Sequence, residues 1–133
     1  FYRMVRRAMP LLKAAEQGRV VTVSTHNAHI FRPGYPNYPV SGAAKAALEV
    51  MTRSLALELA PQGTTVNCVV PGLIRKDHGD PFLSQEEWAR YPTLVPLGRI
   101  GEPDEVAAVI AFLASKAASY VTGQCIHVNG GFA

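Results

Sequence analysis

Lys45 and the hydroxyl-bearing residues that precede it have the clearest capacity for chemistry in this sequence. Ser41 lies four residues before Lys45 and Tyr38 seven before it; on a helix both intervals return to nearly the same face, one and two turns away. An ammonium beside a phenol stabilises the phenolate and lowers a pKa that is ordinarily about 10. That makes the phenol a useful proton donor to a carbonyl oxygen. An aliphatic hydroxyl is a much poorer acid, so Ser41 is the weaker candidate despite its closer spacing. Tyr38 starts about 4.5 Å farther along the axis than a four-residue spacing would place it, from a rise of about 1.5 Å per residue. Pro39 follows it and leaves it off the helix, free to fold back over Lys45. In the alternative, Tyr38 packs on its loop and the site is inactive.

Those side chains need a frame. From Val40 to Ala60, apolar residues recur at Val40, Ala43, Ala44, Ala47, Leu48, Met51, Leu55 and Leu59, a three-four spacing that predicts one long amphipathic helix. Pro39 suits its first turn, and Pro61 with Gly63 stops it. The flanking runs RVVTVST (19–25) and TTVNCVV (64–70) are short, apolar and β-branched, like strands buried on both faces of a parallel sheet. Residues 1–17 show one helical face through Phe1, Met4, Val5, Ala8, Leu11, Leu12 and Ala15, with Gly18 placed as its C-cap. No capping residue precedes that face, so the helix starts in its middle and the chain reads as the carboxy-terminal part of a longer polypeptide.

Residues 26–39 hold three prolines and a glycine and form a loop. Residues 75–99 read as the centre of a long substrate-loop excursion holding one or two short helices. Glu102-Pro103-Asp104-Glu105 then opens a helix whose buried face is Val106, Val109, Ile110 and Leu113. QCIHVNGG (124–131) supplies a last strand and a glycine turn. This order predicts a single α/β domain over 1–133, a Rossmann-like, doubly wound parallel sheet. Ligands of such sheets bind at the carboxyl ends of the strands, here Ser24-Thr25, Val70-Pro71-Gly72 and Asn129-Gly130-Gly131.

GRVVTVST (18–25), AAKAALEVMTRSLALELAPQGTTVNCVVPGLI (43–74), PLGRIGEPDEVAAVIAFLAS (96–115) and YVTGQCIHVNGG (120–131) together closely resemble the second half of the short-chain dehydrogenase/reductase family. The resemblance implies a dinucleotide-binding domain that transfers hydride between NAD(H) or NADP(H) and a small alcohol or carbonyl substrate. It implies three catalytic positions. Lys45 matches the lysine that lowers the acid's pKa and binds the nicotinamide ribose, and Thr25 matches the serine that orients the substrate oxygen. Tyr38 lies thirteen residues after Thr25, the family's usual serine-to-tyrosine interval, whereas the Tyr-x-x-x-Lys spacing falls on Ser41. Pro71, Gly72 and Ile74 match the nicotinamide-binding turn, with backbone groups near Ile74 on the carboxamide; Lys76 stands where the family often has threonine. The glycine-rich turn, the residue that selects NAD or NADP, and the family's active-site asparagine would lie upstream of Phe1. The family's packing of its helices against a second subunit implies a homodimer or homotetramer.

The formal charge of +3, from 13 basic and 10 acidic residues, is too small and too scattered for a nucleic-acid surface. Arg3, Arg6 and Arg7 read as the exposed face of the first helix. Neither a membrane-spanning apolar run nor a secretory leader is present, which predicts a soluble, cytoplasmic protein. Cys68 and Cys125 sit in strand-like runs and read as buried small hydrophobes. His26, His29 and His78 read as solvated loop histidines rather than metal ligands, and Trp88 and Phe82 as walls of a substrate pocket or anchors of the lid.

Overall fold

The computed structural model of the chain describes residues 1–76 and 84–132. Its elements are α1 (Tyr2–Ala14), β1 (Arg19–Val23), α2 (Pro39–Leu59), β2 (Thr65–Pro71), α3 (Gln85–Arg90), α4 (Pro103–Ala114) and β3 (Cys125–Val128). The three strands form one parallel sheet in the order β1-β2-β3. β2 is central and buried along all but its last residue. Because side chains alternate along a strand, its two faces meet different helices. Val66 packs with Val5 of α1 and Leu55, Ala56 and Leu59 of α2, while Val69 packs with Val106 and Leu113 of α4. Helices on both faces of a parallel sheet give the expected Rossmann-like arrangement.

The helix boundaries follow from local chemistry. Pro39 occupies the first turn of α2, and Gly63 turns the chain after it with φ 71°. Pro103 opens α4 inside a reciprocal capping box of Glu102 and Glu105, which satisfies two orphan N–H groups. Gly18 departs from expectation. α1 ends at Ala14 with Ala15 as its C-cap, and Gly18 is needed for space, since a Cβ there would lie 2.2 Å from Thr64 Oγ1. β1 is a second departure. It is only half-buried over its first three residues, and Val23 is exposed, because its outer edge pairs with no strand among the described residues.

The buried face of α2 is also rotated from the predicted apolar stripe. Gly42, Glu49, Thr52, Leu55, Ala56 and Leu59 face inward, whereas Val40 and Ala43, Ala44 and Ala47 are exposed. The two polar residues are tolerated because they are bonded: Thr52 Oγ1 donates to the Leu48 carbonyl and lies 3.0 Å from Thr22 Oγ1, and Glu49 bonds Ser24 and His29. Of the excursion over 75–99, the described part holds α3 and the 3-10 turn Tyr91–Leu94; Phe82 and His78 lie outside the described residues.

Asn67, in the middle of β2 and fully buried, ties the sheet to the segment preceding β3. Its amide donates to the Val121 carbonyl at 2.7 Å and its oxygen accepts from the Gln124 N–H at 3.1 Å. Asn67→Ala strands both backbone groups and is expected to cost about 2–4 kcal/mol. Denaturant melts of the wild type and the variant check this.

Candidate active-site cleft

The carboxyl ends of β1 and β2 open onto a cleft of about 430 Å³ whose lining includes Thr25, Tyr38, Pro71, Gly72, Ile74 and Trp88. These six residues, all singled out from the sequence, therefore meet in one place. Alternation at the end of β1 separates the two neighbouring hydroxyls. Ser24 points inward and donates to Glu49 Oε1, while Thr25 lines the cleft. Thr25 Oγ1 accepts the Asn27 N–H at 3.4 Å, capping the 3-10 turn His26–Ala28, so its own proton remains available to a ligand.

Tyr38 is the N-cap residue of α2, outside the helix, with its carbonyl accepting the Gly42 N–H at 2.8 Å. Gly42 lets this end of α2 approach the turn after β1, since a Cβ there would lie 2.7 Å from the Asn27 carbonyl oxygen. Lys45 does not line the cleft. Its ammonium donates to the Val23 carbonyl at 2.7 Å, on the edge of β1 that pairs with no strand among the described residues, two residues upstream of Thr25. Ser41 is exposed and is likewise no part of the cleft wall.

The turn after β2 is built closely against β3. The Gly72 N–H donates to the Val128 carbonyl at 2.9 Å, and a Cβ at Gly72 would lie 2.6 Å from Asn129 Cα. Beyond it, the Leu73 carbonyl accepts the Gly101 N–H and the Arg75 N–H donates to the Gly101 carbonyl, a one-residue parallel bridge centred on Ile74. In that pattern the backbone groups of Ile74 itself face away from Gly101. They make no backbone hydrogen bond among the described residues. One free donor and one free acceptor at the cleft wall suit a carboxamide, which carries the complementary pair.

His26 and Tyr35 also line the cleft. His26 Nδ1 lies 3.1 Å from the Gly72 carbonyl oxygen and Nε2 lies 2.8 Å from the Tyr35 hydroxyl. His26 is not the solvated histidine expected, being bonded at both nitrogens, whereas His29 is exposed as expected and pairs through Nε2 with the buried Glu49 at 2.8 Å. No motif in the sequence pointed to the His26–Tyr35 pair, because the contact closes across an irregular loop. Trp88 and Tyr91 form the opposite wall, their rings 5.3 Å apart and edge-to-face. Arg75 reaches the rim, but its guanidinium forks onto Glu102 at 2.7–3.0 Å.

Residues 1–133 match the family described as Enoyl-(Acyl carrier protein) reductase. The fold, the cleft and the motif order agree with that match. The chain belongs to the short-chain dehydrogenase/reductase family. It is 43% identical over 126 residues to the 3-oxoacyl-acyl-carrier-protein reductase FabG of Rickettsia felis, covering 95% of this chain and 51% of that protein. The corresponding reductase of Aquifex aeolicus is 46% identical over 114 residues, covering 86% of this chain and 44% of that protein. A crystal structure from Sinorhizobium meliloti 1021, described as a short-chain alcohol dehydrogenase, superposes with a TM-score of 0.83 at 32% identity. It covers 96% of this chain and 50% of its own. The chain thus spans about half the length of the family relatives it matches.

Burial of the His26 imidazole lowers its pKa below the ordinary 6.5, against the raising effect of the Pro71 and Gly72 carbonyls. As pH falls below 6.5, the unfolded chain takes up this proton before the folded chain does. Burial of the neutral imidazole is thus fully tolerated above 6.5, and stability is lost as pH drops towards the folded value, at no more than about 1.4 kcal/mol per pH unit. Urea denaturation between pH 5 and 7 is expected to show that slope, and His26→Gln to remove this contribution.

Proposed function

We propose that the full-length protein is an NAD(P)-dependent oxidoreductase that transfers hydride between a nicotinamide cofactor, NAD or NADP, and a small alcohol or carbonyl substrate. The observation that carries this reading is the convergence of Thr25, Tyr38 and the Pro71–Ile74 turn on one cleft. A nicotinamide bound at that turn would supply the hydride. The turn's own part is to hold the carboxamide, through the free N–H and C=O of Ile74. Thr25 donates to the substrate oxygen and fixes its position. Tyr38 supplies the proton to that oxygen during reduction and removes it during oxidation. Lys45 assists by leaving the Val23 carbonyl and bringing its charge to within about 4–6 Å of the phenol, the range over which a cation lowers the pKa. The 3-oxoacyl group named for the FabG relatives is a carbonyl of the class proposed.

A second reading is a non-catalytic homologue that keeps the fold and the oligomer interface. Two observations favour it: Ser41 stands at the tyrosine spacing, and the Lys45 ammonium is committed to the Val23 carbonyl. The same substitutions decide between the readings. In the full-length enzyme, Tyr38→Phe is expected to lower kcat by about 10²-fold or more, and Ser41→Tyr to bring no gain. An undiminished rate in Tyr38→Phe with a faster one in Ser41→Tyr removes Tyr38 from the mechanism, and absence of hydride transfer to any carbonyl favours the non-catalytic subunit.

The proposed homodimer or homotetramer draws support from the outer face of α2, where Val40, Val50 and Leu57 are 82%, 62% and 80% exposed. A row of apolar side chains beside exposed alanines suits helix-to-helix contact with a second copy. Leu57→Glu is expected to shift the full-length protein towards monomer in sedimentation, leaving the far-ultraviolet circular dichroism unchanged.

A further inference from the structure

The His26–Tyr35 pair sets the hydrogen-bonding character of one cleft wall. The Gly72 carbonyl oxygen, 3.1 Å from Nδ1, can only accept, so a bare Nδ1 would set lone pair against lone pair. The imidazole proton therefore sits on Nδ1, and Nε2 accepts. The partner of Nε2, at 2.8 Å, is the Tyr35 hydroxyl, which donates its single proton there. What the Tyr35 oxygen can still offer the cleft is lone pairs and no proton. Burial favours the neutral form of both groups, lowering the His26 pKa and raising that of Tyr35, so the arrangement holds at neutral pH. The rings are also pinned. Phe132, almost wholly buried, meets the Tyr35 ring at 5.5 Å and the His26 ring at 5.6 Å between centroids, and Tyr91 lies 6.1 Å from Tyr35. Turning the hydroxyl towards a ligand would strand the Nε2 lone pair in a half-buried site.

We propose that Tyr35 is a specificity-determining residue that selects substrates bearing a second hydroxyl or amino group, whose hydrogen is donated to the Tyr35 oxygen. The inference rests on the reading of this cleft as the substrate site. A substrate with only acceptor oxygens at this wall meets the Tyr35 lone pairs and is disfavoured, whereas a donor group completes the chain from ligand through Tyr35 and His26 to Gly72.

The test uses the full-length protein with NADH or NADPH and two ketones of one carbon skeleton, one carrying an α-hydroxyl. Wild type is expected to favour the hydroxy ketone in kcat/KM by about 3–10-fold, the span of one neutral hydrogen bond. Tyr35→Phe, which keeps the ring, should bring that ratio close to one. An unchanged ratio in the variant, or no preference in wild type, overturns the proposal. If neither ketone is reduced, the hydride-transfer reading fails by itself, and calorimetry with the matching diol and mono-alcohol takes over. Loss of a diol preference in Tyr35→Phe then supports the inference, and equal affinities in wild type overturn it. Should Tyr35→Phe not fold, the ¹⁵N shifts of His26 and the wild-type preference decide together. A proton on Nε2 with Nδ1 bare sinks the assignment; the opposite tautomer with a preference for the donor-bearing ligand upholds it.

Discussion

The buried carboxylate of Glu49 is the constraint on which the geometry of the cleft depends. A carboxylate removed from water needs hydrogen-bond partners, and Glu49 finds two at Oε1, the Ser24 hydroxyl and His29 Nε2. Those bonds clamp the end of β1 and the loop after it onto the middle of α2. With Ser24 turned inward, alternation turns Thr25 towards the cleft. The loop is held a second time where His26 meets the Gly72 carbonyl, so both of its histidines are anchors. Tyr35 and Tyr38 are therefore carried by a segment pinned at one side to a helix and at the other to the turn after β2.

Much of this was legible in the sequence where a local rule has a local cause. Pro39 and Pro61-Gly63 bracket α2 because proline and glycine act on their own backbone, and the Glu102–Glu105 capping box opens α4 for the same reason. The run TTVNCVV became a buried strand because its neighbours on both sides cover it. The similar run RVVTVST is only half-buried, because its outer edge pairs with no strand among the described residues. The inward face of α2 departs from the apolar stripe because Ser24, His29 and Thr22 give Glu49 and Thr52 buried partners, contacts that no local spacing announces. Gly18 looked like a cap because glycine serves both turns and tight contacts, and the contact with Thr64 is long-range.

The candidate site divides along the same line. Thr25, Tyr38, Pro71, Gly72 and Ile74 stand at strand and helix ends, where topology alone brings them together. Lys45 could be placed on α2 but not in the cleft, since the position of its ammonium depends on which acceptor is open, and among the described residues that acceptor is the Val23 carbonyl. His26 and Tyr35 are nine residues apart in a proline-rich loop with no periodicity to align them. Their meeting is a property of the loop's anchors. The proposed displacement of the tyrosine from Ser41 to Tyr38 has a physical counterpart: Tyr38 is the N-cap of α2, where the backbone has left the helix, and it lines the cleft.

Phe132 adds a condition of another kind. Its ring packs against His26 and Tyr35, so this cleft wall is backed by a contact between residues far apart in sequence. Contacts between residues far apart in sequence close large loops, and the entropy of that closure is lost before the contact gives anything back. α1 and α2 and their pairing with β1 and β2 need only shorter closures. This cleft wall is therefore expected to become rigid after the scaffold of α1, α2, β1 and β2 has formed.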